Sequence, residues 1–212
     1  MLASAFIDRA PVDTLDDQLR SLWHEPTLRA EMLALLAILD DRRREPTTPW
    51  VDPRRIRPAP LHVHGRYRQE EVLAGLEVLR KGVLPRIQTG VFHVAEENVD
   101  LLFVTLRKTE ASFSPSTMYK DYAVSPTRFH WESQNTAHPA SQTGQRYLAR
   151  SSAVLLFVRE EQRQANGLAA PFVFLGTANL VECSGERPMQ IVWELGTAMP
   201  AGMYQRATLA AG

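Results

Sequence analysis

The stretch that decides the fold is DLLFVTLRKTEASFSPSTMYKDYAVSPTRFHWESQNTAHPASQTGQRYL, residues 100–148. Its opening part, Asp100–Arg107, is an apolar run that predicts a buried strand. Arg128–Ser133 mixes aromatic and polar side chains and predicts a second strand. Ser141 suits the N-cap of a short helix over Gln142–Arg150, because its hydroxyl can accept a hydrogen bond from a first-turn N–H. These elements do not follow the regular strand–helix–strand order of a parallel α/β fold.

The flanking sequence adds one longer helix and more strands. A helix is predicted over Arg68–Arg80, where apolar residues recur at helical spacing. Runs rich in β-branched and aromatic residues predict strands at Leu61–Val63, Thr89–Val94, Val154–Arg159, Phe172–Leu175 and Gln190–Leu195. Few helices among many strands indicate an α+β domain. We expect a curved antiparallel sheet or a small β-barrel, with flanking helices and an N-terminal helical segment.

Composition divides the chain into four parts. Residues 1–45 form the predicted helical segment. Residues 46–60 are rich in proline and arginine and predict an extended connector, because proline interrupts regular helix. Residues 61–198 are the expected domain, and residues 199–212 are assigned to a C-terminal tail.

The predicted N-terminal segment consists of two helices. Thr14 could cap the first helix, which would run through Trp23. Pro26 suits the first turn of the second helix, where its missing N–H costs no hydrogen bond. This second helix carries an apolar stripe at helical spacing, made of Leu28, Met32, Leu35, Leu36 and Leu39. Such a stripe predicts that the helix packs on a neighbour.

Bulk composition predicts a soluble globular protein of the cytoplasm. The 212 residues are 44% hydrophobic and 23% charged, and the apolar runs are too short to cross a bilayer. No basic region precedes an apolar core at the N-terminus, so no secretory signal is expected. The single cysteine, Cys183, excludes an internal disulfide. Zero net charge argues against a bulk nucleic-acid coating protein and leaves room for a localised basic face.

The sequence lacks the motifs of several enzyme classes. It has no P-loop, no dinucleotide-binding glycine pattern and no nucleophile elbow. One cysteine is too few for the cysteine-based zinc frameworks. His62 and His64 would lie on one side of a strand, and His93 or His130 could supply a third ligand. Two histidines favour local hydrogen bonding over a metal site, so no metal, cofactor or catalytic residue is expected.

The stretch from Asp100 to Tyr147 holds aromatic, hydroxyl, amide and basic side chains in a mixture that suits nucleotide binding. Rings can stack on a base, while arginines, hydroxyls and amides hold phosphates. Asp121, between two tyrosines, could accept a hydrogen bond from a cytosine amino group. On the strand at Arg128–Ser133, one face carries Phe129 and Trp131, and the sequence leaves open which face meets the core.

These arguments yield two groups of candidate residues. The predicted base pocket consists of Tyr119, Asp121, Tyr122 and Trp131. The predicted contacts to the DNA backbone, or to the gap left by a flipped base, are Lys108, Lys120, Arg128, Gln134, Asn135 and Arg146. Phe103, Phe129 and Tyr147 are expected in the core.

Four stretches resemble the domain of unknown function at the C-terminus of many bacterial superfamily-two helicases: LHVHGRY, DLLFVTLRKTEASFSPSTMYKDYAVSPTRFHWESQN, TGQRYL and VLLFVRE. The resemblance covers about residues 60–198, and FHWESQN with TGQRY is its most specific part. Those helicases often carry a phospholipase-D-like nuclease, and they include modification-dependent (type IV) restriction enzymes. The resemblance implies recognition of 5-methylcytosine in DNA and similarity to SET- and RING-associated (SRA-like) base-flipping domains, with an SRA/PUA-like fold.

The expected function is therefore non-catalytic recognition of modified cytosine in duplex DNA, by base flipping. The expected partners are that DNA and helicase and nuclease domains in the same or another chain. Two alternatives remain open. The chain could be a regulatory or assembly module that touches no DNA, as zero net charge and the helical N-terminus allow. It could also be a metal-dependent nuclease that uses Glu96, Glu97, Asp100 and histidines.

Overall fold

The computed structural model describes residues 20, 23–41, 48–50, 59–79, 83–87, 89–107 and 120–209. The chain falls into two compact units. The first takes in residues 1–61 and 68–86, and the second takes in residues 62–67 and 87–212. The connector predicted at residues 46–60 falls within the first unit, while the predicted C-terminal tail falls within the second.

The described ranges contain both helices and strands. The helices are α1 (Pro26–Asp41), α2 (Gln69–Gly75), α3 (Gln142–Leu148) and α4 (Ala201–Leu209). The strands are β1 (Thr48–Pro49), β2 (His62–Val63), β3 (Arg66–Tyr67), β4 (Val91–Val94), β5 (Val99–Thr105), β6 (Tyr122–Ser125), β7 (Arg128–Glu132), β8 (Ala153–Arg159), β9 (Phe172–Ser184) and β10 (Gln190–Leu195).

A mixed sheet of eight strands forms the second unit. Its order is β4-β5-β8-β9-β10-β7-β6, and β3 pairs with the start of β9. The β5–β8 pair is parallel, and the other pairs are antiparallel. Register shifts interrupt the β8–β9, β9–β10 and β6–β7 ladders. Such bulges bend strands and increase their twist, which curves the sheet.

This architecture confirms the prediction of an α+β fold with a curved sheet and flanking helices. Along the described strands the sheet is open, with β4 and β6 at its edges, so it does not form the barrel that was the other expectation. The helix predicted after Ser141 is present. The Ser141 hydroxyl accepts a hydrogen bond from the Gly144 N–H at 3.0 Å, which caps the helix as expected.

Several elements differ from the sequence prediction. β9 runs to Ser184 instead of ending at Leu175, because Gly176, with a φ of +91°, lets the strand bend and continue. α2 ends at Gly75 and not at Arg80, since Glu77 adopts a left-handed φ of 57° that breaks the helix. The predicted C-terminal tail contains α4, whose Met203 is buried in the core. β6 was also not predicted.

The two halves of the sheet differ in how they are buried. β5 is buried at every position, and β8 is buried at all but its two ends. Strands covered on both faces read as continuous apolar runs, which explains why the sequence revealed them clearly. In β7 and β10, buried residues alternate with more exposed ones. This half of the sheet therefore has one buried face and one face open to solvent.

Aromatic side chains fill the core beneath the half-exposed strands. Trp131 of β7, Trp193 of β10 and Tyr147 of α3 lie together, with ring centroids 5.5–6.3 Å apart. Tyr147 and Trp193 meet edge to face at 88°, an arrangement that aromatic quadrupoles favour. Phe129 joins the same buried cluster. Burial raises the pKa of the Tyr147 hydroxyl far above its ordinary value, so this group stays protonated.

In the first unit, α1 begins at Pro26 as predicted. Its apolar residues are less covered than a packed stripe requires. Leu33, Leu35 and Leu36 are 51%, 48% and 38% exposed within the described chain. The helix predicted from Thr14 to Trp23 lies largely outside the described residues.

We expect Trp131→Ala to lower the free energy of unfolding by about 3–5 kcal/mol, because it removes a large ring from a packed core. Val124→Ala is the matched control, since Val124 is 49% exposed on the neighbouring strand. Urea denaturation followed by circular dichroism measures both changes. Equal, small losses in the two variants would contradict the core position of Trp131.

Candidate functional site

A row of side chains crosses the open face of the half-exposed strands. The pairing of β6, β7, β10 and β9 aligns Tyr122 with His130, His130 with Val192, and Val192 with Glu182. Neighbouring strands lie about 4.8 Å apart, so the row spans about 14 Å. Since side chains alternate along a strand, these residues face away from Trp131 and Trp193. Because the tryptophans are buried, the alternate residues of the same strands must lie on the open face.

This row forms the floor of a groove of about 620 Å³. Such a volume lies within the range of about 300–1,000 Å³ that is usual for small-molecule sites. The groove is lined by Tyr122, Val124, His130, Glu182, Cys183, Ser184, Gln190 and Val192. All of these residues belong to the second unit. Aromatic, apolar and polar groups therefore meet on one concave surface.

Tyr122 and His130 stack on each other at one side of the groove. Their ring centroids are 4.5 Å apart and the ring planes differ by 15°. His130 Nδ1 lies 3.0 Å from the backbone carbonyl oxygen of Lys120. A carbonyl only accepts, so Nδ1 must carry the proton, and Nε2 of the neutral ring is left as an acceptor. The stack thus offers a flat aromatic surface together with one acceptor nitrogen.

Among the described residues, the open face carries Glu132, Glu182 and Glu194 beside the basic residues Arg128 and Lys120. Arg128 and Glu194 approach each other at 3.7 Å, a loose and solvent-exposed ion pair. Glu132 accepts a hydrogen bond from the Lys120 backbone N–H at 2.9 Å. Glu182 is the formally charged residue that lines the groove itself. This distribution disfavours a phosphate inside the groove and favours a neutral or donor-rich ligand.

The predicted base-pocket residues reach three different environments. Tyr122 lines the groove. Asp121 is 5% exposed, and its Oδ1 accepts a hydrogen bond from the Glu132 N–H at 3.0 Å, so it braces the β6–β7 edge. Trp131 is also 5% exposed and belongs to the aromatic core, which leaves its ring almost fully covered. Tyr119 lies outside the described residues.

The residues predicted to contact DNA are also dispersed. Lys120 is exposed near the stacked rings, and Arg128 is exposed on the same face of the sheet. Gln134 donates a hydrogen bond to the backbone carbonyl of Thr89, and Asn135 lies exposed in the following turn. Lys108 lies outside the described part of the chain. Arg146 is held in an internal ion pair.

That ion pair is centred on Asp100, whose side chain is fully buried. Arg146 binds it with two hydrogen bonds, from Nε to Oδ2 at 3.1 Å and from Nη2 to Oδ1 at 2.9 Å. The Ser152 hydroxyl donates to Oδ2. The bidentate pairing with Asp100 raises the pKa of Arg146. Arg146 therefore joins α3 to the start of β5 and compensates a buried charge.

The surroundings of Asp100 do not form a hydrolytic triad. His93 Nδ1 lies 3.2 Å from Asp100 Oδ1, but the two are not aligned as a hydrogen bond. Ser152 donates to Asp100 and not to His93, so the described contacts hold no serine–histidine pair that could generate a nucleophile. Glu96 is exposed in the turn between β4 and β5, whereas Asp100 is buried.

No metal-binding group emerges from the described residues. Among them, no three histidine, cysteine or acidic side chains come together in a way that could hold a metal ion. His62 lies on β2, but His64 leaves the strand in a turn with a φ of 69°. The two imidazoles therefore do not occupy alternate positions of one strand, as the sequence prediction required.

Of the groove residues, the sequence prediction placed only Tyr122 in the base pocket, and Glu182 and Val192 are among those that it missed. The pairing of β9 with β10 brings these two side by side. Val192 alternates with buried Ile191 and Trp193, which the sequence could have revealed as a surface position. Glu182 lies in the part of β9 that was not predicted. Cys183 lines the groove and packs against the core, and burial raises the pKa of its thiol.

Comparison with known proteins identifies a family for most of the chain. The family model of the domain of unknown function DUF3427 matches residues 61–207, which is more than half of the chain. No curated protein matches the sequence. The matched range includes all the groove residues as well as most of α4. Among the described helices, none is long and apolar enough to span a membrane.

We expect Arg146→Ala to lower the free energy of unfolding by about 3–5 kcal/mol, because it leaves the Asp100 carboxylate buried without its cation. The control is Arg107→Ala. Arg107 is 57% exposed and pairs with Glu160 and Glu161 at the surface, where such pairs contribute about 0–1 kcal/mol.

Chemical denaturation of both variants and of Asp100→Ala/Arg146→Ala gives the comparison. The double variant should recover part of the loss, because it removes both charges. Equal stability of Arg146→Ala and wild type would contradict the structural role and return Arg146 to the candidate ligand contacts.

Proposed function

The chain belongs to the DUF3427 family, and we propose that it recognises modified cytosine, 5-methylcytosine in particular, in duplex DNA. In this proposal the modified base leaves the duplex and enters the groove above β6, β7, β10 and β9. The resemblance of LHVHGRY, FHWESQN and TGQRYL to helicase-associated domains supports the choice of DNA as ligand.

One observation carries the proposal: the stacked rings of Tyr122 and His130 line a groove that also presents acceptor groups. A flipped base needs a flat surface to replace the stacking lost from the duplex. It also needs polar groups that read its exposed edge. Val124 and Val192 add apolar surface beside them, and apolar side chains are the usual contacts for a methyl group at C5 of a pyrimidine.

The acidic residues on the open face support insertion of a DNA base into the groove, instead of the sugar–phosphate backbone. Glu182 would repel a phosphate in the groove, whereas a neutral base carries no charge to repel. Phosphate contacts would then come from the rim, where Lys120 and Arg128 are exposed. Few such contacts imply modest affinity with a shallow salt dependence, because each phosphate contact adds about 0.9 to the salt slope.

The wider role follows from the family resemblance. We place the chain in a modification-dependent restriction system, where it would act as the reader while helicase and nuclease domains do the mechanical and chemical work. In this role the chain needs no catalytic residue and no cofactor of its own. Binding of modified DNA would direct the partner domains to foreign or modified sequences.

A second candidate function is assembly on a helicase or nuclease without DNA contact. The exposed leucines of α1 favour it, because Leu33, Leu35 and Leu36 present apolar surface in the described chain. The two functions predict opposite behaviour in a DNA titration. Binding that weakens with salt supports the DNA reader, while no binding at low salt supports the assembly module.

We expect Tyr122→Ala to weaken binding to a 5-methylcytosine duplex roughly tenfold, since an aromatic ring stacked on a base contributes about 1–3 kcal/mol. Tyr122→Phe should bind like wild type, because it keeps the ring. Leu168→Ala is a control outside the groove, as Leu168 is 56% exposed and does not line it.

Fluorescence anisotropy with matched duplexes that carry cytosine or 5-methylcytosine, at several salt concentrations, provides the measurement. Wild-type protein should prefer the methylated duplex, and its affinity should fall as salt rises. Equal binding of both duplexes by wild type, or unchanged binding by Tyr122→Ala, would refute the proposed role of the groove.

A further inference from the structure

We propose that Glu182 is the specificity-determining residue of the groove, and that it selects bases with an exocyclic amino group. This inference rests on the proposed function. In it, the Glu182 carboxylate accepts a hydrogen bond from the N4 amino group of the inserted cytosine. The ligand class is therefore an amino-bearing base, and thymine, which carries a keto oxygen at the same position, is rejected.

The position of Glu182 supports this role. It ends the cross-strand row that begins with the Tyr122–His130 stack, and Val192 separates it from His130. A base stacked at one end of the groove would therefore direct its edge along the row toward the carboxylate. The Glu182 side chain is exposed, and it makes no hydrogen bond or ion pair with the part of the chain that the structure describes. Among the described residues, none hydrogen-bonds to its two oxygens.

Asp121 is less suited to the same task, although the sequence favoured it. Its carboxylate is almost fully buried, and Oδ1 accepts a hydrogen bond from the Glu132 N–H. A base amino group would have to replace that contact and loosen the β6–β7 edge. Glu182 needs no such rearrangement, because it already lines the groove.

The chemistry of the floor explains the selectivity. The Glu182 carboxylate only accepts hydrogen bonds, and a neutral His130 ring that donates from Nδ1 to the Lys120 carbonyl presents an acceptor at Nε2. Gln190 and Ser184 can each donate or accept, so they do not distinguish an amino from a keto group. A keto oxygen placed against the carboxylate would meet another acceptor and lose its hydrogen bond to water.

Two oligonucleotide duplexes test the inference. One carries a single 5-methylcytosine opposite guanine, and the other carries thymine opposite the same guanine. The two bases share the 5-methyl group and differ in their Watson–Crick edge, with amino or keto at position 4. The thymine–guanine mismatch opens more easily, so ease of flipping favours thymine and cannot produce a preference for 5-methylcytosine.

The variant is Glu182→Gln, which keeps the size of the side chain and adds an amide donor that can serve a keto group. Wild type should prefer the 5-methylcytosine duplex about tenfold, as expected for one good edge contact. Glu182→Gln should bring that ratio close to one, with weaker binding of 5-methylcytosine and stronger binding of thymine. Glu186→Gln is the control, since Glu186 is exposed in the turn after β9 and does not line the groove.

The outcomes separate this inference from the function on which it rests. Wild-type preference that Glu182→Gln abolishes and Glu186→Gln preserves supports both. Wild-type preference that Glu182→Gln leaves unchanged overturns the role of Glu182 and leaves the DNA reader standing. Absence of binding by wild type to either duplex overturns both. Circular dichroism and urea denaturation verify that the variants are folded.

Discussion

The strict alternation of side chains along β7 and β10 is the constraint on which the candidate site depends. Phe129, Trp131 and Trp193 are buried on one face, so every second residue of these strands must lie on the other. A shift of one residue in register would expose the tryptophans and bury charged side chains, which is energetically prohibitive. The aromatic core therefore fixes which residues the open face presents, although none of its members touches the groove.

The two halves of the sheet have different roles. β5 and β8 are covered on both faces and form a deeply buried part of the second unit. The Asp100–Arg146 ion pair fixes α3 to the start of β5, and α3 in turn places Tyr147 against the tryptophans. β9 belongs to both halves, pairing first with β8 and then with β10 after the bend at Gly176. The groove thus lies on a half-exposed extension of a well-buried sheet.

The sequence predicted the elements whose signal is local. The apolar runs of β5 and β8 and the serine cap of α3 follow from short stretches alone. The groove does not, because its row of residues comes from four strands that are distant in sequence and are aligned only by pairing. The second part of β9 reads TANLVECS, and the register shift that leaves Val181 unpaired interrupts its alternation, so Glu182 remained hidden. Trp131 and Arg146 looked like ligand contacts because each residue type has two common roles. A tryptophan can line a base pocket or fill a core, and an arginine can contact DNA or form an internal ion pair.

The most direct test of the central claim is to map the DNA contact surface by NMR, following amide and side-chain shifts as a 5-methylcytosine duplex is added. The account predicts that the largest changes fall on the open faces of β6, β7, β10 and the end of β9, around Tyr122, His130 and Glu182. The Trp131 and Trp193 side chains should change little. Shifts centred on α1, or confined to exposed basic residues outside the groove, would contradict it.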